Sequence, residues 1–416
     1  MWFLGAWMGC EPGDAAGPAE TTDSADTGGP IEAWEPGLTL VADGELVGDG
    51  ASLDLGEVEQ GGQPLGVDFV VTNHGDASIE LSASLEGMAW GTSPPASLEA
   101  GDSAAFSVEL GTDTEGEHSG LLTLAGLSLT LAGRINPPPV LVAVGGYGRV
   151  LVTEDYGDTI ASDTWSFDGE LSYTDVCWGG GRYVAVGGLS RGQVSTSEDA
   201  SSWEDAYDTT QSWIDGCAYG DGTFVLVGTN GNLASGTNEG RSWVEVYNDN
   251  TERLEDVAWG DGVFIAVGND RRAVTDDGLG WDTDELYEGS SLIAITYGDG
   301  VFVAVGRDGE VATSGDQGAN WTTQYLGGCS LHGVVFTGDR FLTGCRGRNH
   351  YTSPDGLSWS EVTDDFGGYP EAFLGGYIWG IQGDNGLYRS RDGVLWDEVK
   401  AGDDGPPLTA LTIGSR

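Results

Sequence analysis

This 416-residue sequence is short of basic residues: 16 Lys plus Arg stand against 67 Asp plus Glu, a formal net charge of −51, and Lys400 is the sole lysine. The summed field repels polyanions, which excludes nucleic acid and anionic membrane surfaces as partners for the body of the protein. Acidity on this scale serves solubility. Histidine is scarce as well, and His74, His118, His332 and His350 are scattered without metal-ligand spacing, so no metal centre and no cofactor are expected. No stretch approaches the roughly 20 apolar residues that span a bilayer.

What the sequence does have is turns and tryptophan. With 71 glycines, 15 tryptophans and 39% hydrophobic residues, it reads as a packed, turn-rich all-β protein rather than a disordered one. One stretch recurs from about residue 139 onward. Its fullest copy ends in Ser314-x-Asp316-x-Gly318-x-x-Trp321, a turn in which hydroxyl and carboxylate can bind local amides while glycine takes positive φ and tryptophan anchors the next strand.

Shorter copies close on Trp203, Trp281, Trp359 and Trp396, Asn238 replaces the carboxylate ahead of Trp243, and the first copy, Thr153-x-Asp155-x-Gly157, lacks its aromatic. The tryptophans at 203, 243, 281, 321, 359 and 396 recur every 37 to 40 residues, the period of four-stranded propeller blades. Seven copies predict seven blades. The motif resembles the Asp-box of sialidase-like and photosystem-assembly-factor-like propellers. That resemblance covers about two thirds of the chain and implies a fold, since such boxes sit on blade rims of functionally unrelated proteins.

Each repeat predicts an inner strand, a Gly-Asp-Gly hairpin turn such as Gly260-Asp261-Gly262, a second strand, a third running into the box, and a fourth led by tryptophan. The first copy lacks an inner strand. Residues 408–414 match the inner-strand pattern of residues 292–298, so the C-terminal strand is expected to close the ring.

Ahead of the repeats, residues 1–10 form an apolar run ending in Gly9-Cys10, which resembles a bacterial lipoprotein signal with Trp7 where leucine is usual and no basic n-region. Cys10 is the expected lipidation site; an ordinary signal remnant or a fortuitous apolar start is the alternative. Residues 11–37, acidic and nearly devoid of apolar side chains, read as a disordered tether. Residues 38–134 contain short alternating strands, among them a hairpin over residues 67–81 turning at Asn73-His74-Gly75, and predict an immunoglobulin-like sandwich of about seven strands. The segment Val71-Thr72-Asn73-His74-Gly75-Asp76 resembles Hydin-type immunoglobulin-like domains, which implies a spacer or protein-contact module. Prolines in 135–139 form a stiff joint, and 140–416 is the propeller.

No catalytic constellation emerges. The inner strands contribute no arginine toward a channel mouth, against the sialidase requirement for an arginine trio, and carboxylates are too abundant for any pair to stand out. Cys329 and Cys345 bracket one hairpin and are expected to pair in an oxidising compartment; Cys177 and Cys217 fit a second disulfide or two buried thiols. The turns between second and third strands carry Arg149, Arg191, Arg271, Arg272, Arg307, Arg346 and Arg348, and connectors reaching the same face bring Tyr207, Tyr247, Tyr287 and Tyr325. Forked donors mixed with amphipathic rings are what interface hot spots use. The expectation is a monomeric, exported, lipid-anchored binding or assembly platform at the cell envelope, without enzymatic activity, holding a protein or anionic polymer at this face. The membrane is met only through the lipid on Cys10. The bland alternative is that these arginines neutralise acidic connectors and the tyrosines cap blade cores. The alternative function is a carbohydrate-active enzyme or lectin.

Overall fold

A computed structural model describes residues 20–21, 37–59, 65–111, 116–136, 139–165, 171–189, 191–208, 213–237, 239–247, 253–287, 289–345, 349–362, 368–374, 376–383, 385–403 and 405–414. These residues are all-β and fall into two compact units that divide at Pro139. Cys10 and its flanks lie outside the described residues. Within the predicted tether, Glu20–Thr21 pairs antiparallel with Asp54 and Leu53.

Among the described residues the N-terminal unit holds two five-stranded sheets and a two-stranded ribbon. Alternating burial along Leu65–Asn73 and Leu127–Asn136 turns one face of each strand inward. Phe69 and Phe106 stack at 5.0 Å between ring centroids inside that core. The predicted hairpin over residues 67–81 is not formed: Leu65–Asn73 pairs with Leu38–Ala42 and Ser103–Leu110, whereas Ile79–Glu80 pairs with Ser97–Leu98. The buried Asn73 amide explains the departure. Its Nδ2 donates to Ala77 O, Leu98 O and Glu99 O, and these bonds pull the chain out of the sheet instead of back along it.

The C-terminal unit contains seven four-stranded antiparallel sheets among the described residues. Their inner strands are, from sheet 1 to sheet 7, Leu408–Gly414, Tyr173–Gly179, Ile214–Gly220, Leu254–Gly260, Leu292–Gly298, Leu331–Phe336 and Tyr369–Leu374. Each packs on the next and the last returns to the first, so the sheets close into a β-propeller ring. Second strands such as Val140–Gly145 and Arg182–Gly187 are buried along their whole length, because both faces meet a neighbouring sheet. Sheet 1 is composite. Leu408–Gly414 runs antiparallel to Val140–Gly145, so one blade holds strands from both ends of the repeat region.

The hairpins between inner and second strands turn through Asp261-Gly262 and Asp299-Gly300, all four with positive φ (47°, 79°, 44° and 80°), the two-residue turn that matches strand twist. The tryptophan-closed turns between third and fourth strands lie on the same face as these hairpins, where Gln317 Nε2 donates to Asp261 O at 3.0 Å, and several of them are closed hydrogen-bond circuits. In residues 314–321, Ser314 Oγ accepts the Gly318 amide at 3.0 Å, Asp316 Oδ1 accepts the Asn320 amide at 2.8 Å, and Trp321 Nε1 donates to Gly318 O at 3.0 Å. Equivalent circuits form at Ser197, Thr275 and Ser353. The turn containing Asn238 lies partly outside the described residues.

Candidate functional site

Both disulfides form: Cys177 joins Cys217 across sheets 2 and 3, and Cys329 joins Cys345 within sheet 6, each pair with Cα atoms 5.9 Å apart. Buried Cys177 and Cys217 had two readings open in sequence; facing inner strands bring their Cα atoms within bridging distance.

The predicted arginine face divides. Arg149 is fully buried, so it is withdrawn as a binding residue. Its Nε and Nη2 donate to Asp163 at 2.9 and 2.8 Å, while Nη1 and Nη2 reach Asp403 at 3.3 and 3.0 Å and Nη1 donates to Pro406 O at 2.6 Å. It latches the segment leading into the closing strand onto sheet 1. Arg272 lies mostly buried against Asp282 and Asp284. Tyr207 is half-buried and stacked on Trp243, and Tyr287 is half-buried and donates to the buried Glu310 carboxylate. These two tyrosines serve the fold. Arg191, paired with Asp208 at 3.0 Å, and Arg307 are exposed, Arg271 is half-exposed, and Tyr325 is 63% exposed. Arg346 and Arg348 lie outside the described residues, and Tyr247 ends an outer strand.

The same face carries exposed apolar groups that sequence reasoning passed over. Tyr147 and Leu189 sit in turns between second and third strands of sheets 1 and 2, and Trp213, in the connector entering sheet 3, is 46% exposed.

At the channel mouth on this face, the inner strands share one irregularity. Each slips register against its second strand by one residue, leaving Thr174, Asp215, Glu255, Ile293, His332, Glu371 and Thr409 unpaired in the ladder. Bulges of this kind re-aim side chains. Five of those residues, Glu255, Ile293, His332, Glu371 and Thr409, line a cavity of about 300 Å³ together with Arg253, Arg307 and Tyr369. The inner strands themselves carry no arginine, but Arg253 and Arg307 reach the channel mouth from connecting segments, which the strand-by-strand expectation did not cover. Arg253 precedes the inner strand of sheet 4, and its guanidinium forks onto Asp215 at 3.0 and 2.6 Å and meets Glu255 at 3.1 Å.

Beneath the bulged residues lie Asp175 and Asp256, which cross-link neighbouring sheets. Asp175 accepts the Cys217 amide at 2.8 Å and Asp256 accepts the Ile295 amide at 2.8 Å. Burial pushes both carboxyls up from the ordinary range, and at Asp256 the charge of Asp175 adds to it. Glu371 is raised well above its ordinary value, by burial first and then by Asp175 and Asp256. Burial also raises Glu255, against the opposing pull of Arg253. Gly333 makes the room: a Cβ there would fall 2.1 Å from Pro370 O and 3.4 Å from Glu371 Oε1.

The two sets of carboxylates titrate with opposite signs. Channel acids with raised values bind protons in the fold that the unfolded chain has released, so their stabilisation is complete in acid and is lost as pH climbs from about 4 through neutrality. Turn carboxylates such as Asp155, Asp355 and Asp392 have lowered values, so their stabilisation is lost on acidification below about 4. The melting temperature should peak near about pH 5. Asp256→Asn should flatten the alkaline limb; an unchanged slope between pH 5 and 8.5 would show that Asp256 is ionised in the fold.

No protein-family model matches the chain, and no curated protein does. Among solved structures it is similar to the computationally designed Ika8 protein, with TM-score 0.49 and 12% identity over 67% of this chain and 93% of that one. It is similar also to YCF48 bound to D1 peptide, with TM-score 0.45 and 12% identity over 71% and 87% of the two chains. The WD40 β-propeller domain of Doa1 is a third, with TM-score 0.46 and 13% identity over 58% and 89%. The β-propeller itself rests on the closed ring of four-stranded sheets in this chain.

Proposed function

We propose that the chain is an exported, non-catalytic binding platform: a lipid-anchored immunoglobulin-like module followed by a seven-bladed Asp-box propeller that captures a protein on the face of the turns between second and third strands. The observation that carries this reading is the set of exposed apolar and basic side chains in the turns between second and third strands and in the connectors that reach the same face. Tyr147, Leu189, Trp213 and Tyr325 stand out among an acidic surface, interspersed with Arg191, Arg271 and Arg307. Rings and guanidinium groups supply contact area and directed donors at low conformational cost. Substituting Arg191→Ser, Arg271→Ser, Trp213→Ala and Tyr325→Ala together should reduce capture of a partner on the immobilised protein at least about tenfold, with the melting temperature nearly unchanged, because such anchors dominate interfaces. Undiminished capture would sink the reading.

A second reading is favoured by one feature. The channel-mouth cavity brings Glu255 and Glu371 together with Arg253 and Arg307, the combination of carboxylates and arginine that a carbohydrate-active site uses. Turnover of a glycoside panel that Glu255→Gln and Glu371→Gln abolish would establish it over the platform.

A further inference from the structure

We infer that the channel-mouth cavity is a binding site for one organic cation, an alkylammonium or guanidinium group of side-chain size, received by Glu371 and Glu255. The inference rests on the platform reading and names what that face takes into its centre.

The first support is a charge imbalance fixed by geometry. Glu255 and Glu371 line the cavity, and Asp175, Asp215 and Asp256 stand behind them on neighbouring inner strands. Two cations stand against them. Arg253 is already engaged by Asp215 and Glu255. Arg307 sits at the exposed rim, where its field reaches Glu255 through solvent. The floor carboxylates Asp175 and Asp256 are each held by backbone amides and by no cation among the described residues.

Glu371 is the second support. Among the described residues its carboxyl has neither a hydrogen bond nor an ion pair, and it is half-buried in the wall of the cavity, which is its opening to solvent. A carboxyl in that position is costly unless something pairs with it. The bulge of sheet 7 aims it into the lumen, and glycine at 333 leaves the space clear. A ligand supplying positive charge would meet this carboxyl first.

Size and wall chemistry narrow the class. About 300 Å³ is at the small end of ligand cavities, which run from roughly 300 to 1,000 Å³, and admits one head group rather than an extended ligand. Tyr369 and His332, with ring centroids 5.5 Å apart, form an aromatic wall of the kind that favours a cation. Thr409 directs its hydroxyl to Val144 O and Tyr173 O, which leaves the carboxylates as the charged acceptors facing the ligand.

Linkage supplies a signature. Burial raises the proton affinity of the channel carboxyls, so entry of a cation should release protons, and affinity should rise with pH. The titratable and charged groups lining the cavity are Arg253, Glu255, Arg307, His332, Tyr369 and Glu371, with Asp215 behind Arg253 and with Asp175 and Asp256 acting on Glu371 through their charge. Arg307 gives the test its sign: removing it should help a cation and hurt an anion.

The experiment is calorimetric titration of the full chain with butylammonium chloride, the N-acetylated and C-amidated tripeptide Gly-Lys-Gly, its equally capped Gly-Gln-Gly counterpart, and sodium butyrate, at pH 6 and 8.5 in buffers of different ionisation enthalpy. Gly-Lys-Gly should bind with proton release and more tightly at pH 8.5, and Gly-Gln-Gly and butyrate should not. Glu371→Gln should weaken binding about tenfold or more, in line with loss of a hydrogen bond to a charged group. Arg307→Gln should tighten it about two- to fivefold, the scale of an exposed charge. Butylammonium binding as well as the peptide would support a free amine as the occupant; peptide binding alone would support a lysine presented by a partner. Binding of butyrate that Arg307→Gln abolishes, or no binding of either cation at millimolar concentration by a folded protein, overturns the site. Because none of these probes requires the outer rim, loss of capture in the rim variant and loss of cation binding here fail separately.

Discussion

Deletion of residues 408–416 should abolish cooperative folding of the propeller unit. Leu408–Gly414 is the inner strand of sheet 1, paired from Val140↔Gly414 to Gly145↔Leu408, and it packs on the inner strands of sheets 2 and 7. Removing it uncovers Val142 and Val144, now buried, and takes Leu408, Ala410 and Leu411 out of the core. Each large-to-small loss in a packed core costs about 2–5 kcal/mol, while whole domains are stable by about 5–15 kcal/mol. The truncated chain also presents a new unpaired edge of buried-type residues, a template for aggregation. Calorimetry should show no sharp transition and light scattering should show association. A truncated protein melting within a few degrees of the full chain would mean that the ring closes without this strand.

Arg149→Met should be the most damaging single substitution of an arginine. Fully buried, Arg149 is bridged to Asp163 and Asp403 and bound to Pro406 O, with its guanidinium 5.3 Å from the Trp165 ring. Removing one partner from a buried ion network leaves the others uncompensated, at a cost of about 3–5 kcal/mol. For a unit of this size that is a fall of roughly 10 °C in melting temperature. Within the propeller unit, limited proteolysis should cut the variant near residues 401–407 sooner than it cuts the parent protein there, since the latch is what holds that segment down. Arg307→Met, the same change on the equivalent turn of sheet 5, should move the melting temperature by no more than about 1–2 °C, because an exposed charge contributes little. Equal effects of the two would refute the distinction drawn between them.

That contrast marks the limit of what could be read in sequence. The ring of sheets was legible because its signals are local and repeated: tryptophans every 37 to 40 residues, Gly-Asp-Gly hairpins, and a C-terminal segment with the inner-strand pattern. Arg149 and Arg307 belong to matching turns but not to matching positions: Arg149 opens the third strand, where sheet 5 has the buried Glu310, and Arg307 opens the turn itself, where sheet 1 has Gly146. What buries Arg149 is Asp403, 254 residues away. In the sandwich, the Asn73-His74-Gly75 turn was read as a hairpin because turn chemistry does not say which strand the returning chain will join. The channel carboxylates were hidden by abundance, 67 acidic residues giving no reason to prefer five. Stacking the inner strands would have exposed two of them: where Asp175 and Asp256 stand, sheets 1, 3, 5 and 6 have Ala410, Gly216, Ala294 and Gly333.

The pairing of Val140 with Gly414 in one blade also means that this ring has no natural first sheet. A strand pair across that junction brings the two chain positions within about 5.5 Å, so a few residues could join them without disturbing any sheet. The chain is in effect a circle cut at an arbitrary place. It could be cut instead at any exposed inner hairpin, such as Asp261-Gly262, to give a circular permutant with the same cavity at its centre, and whatever is fused to either present end leaves the ring from the same edge of the same blade.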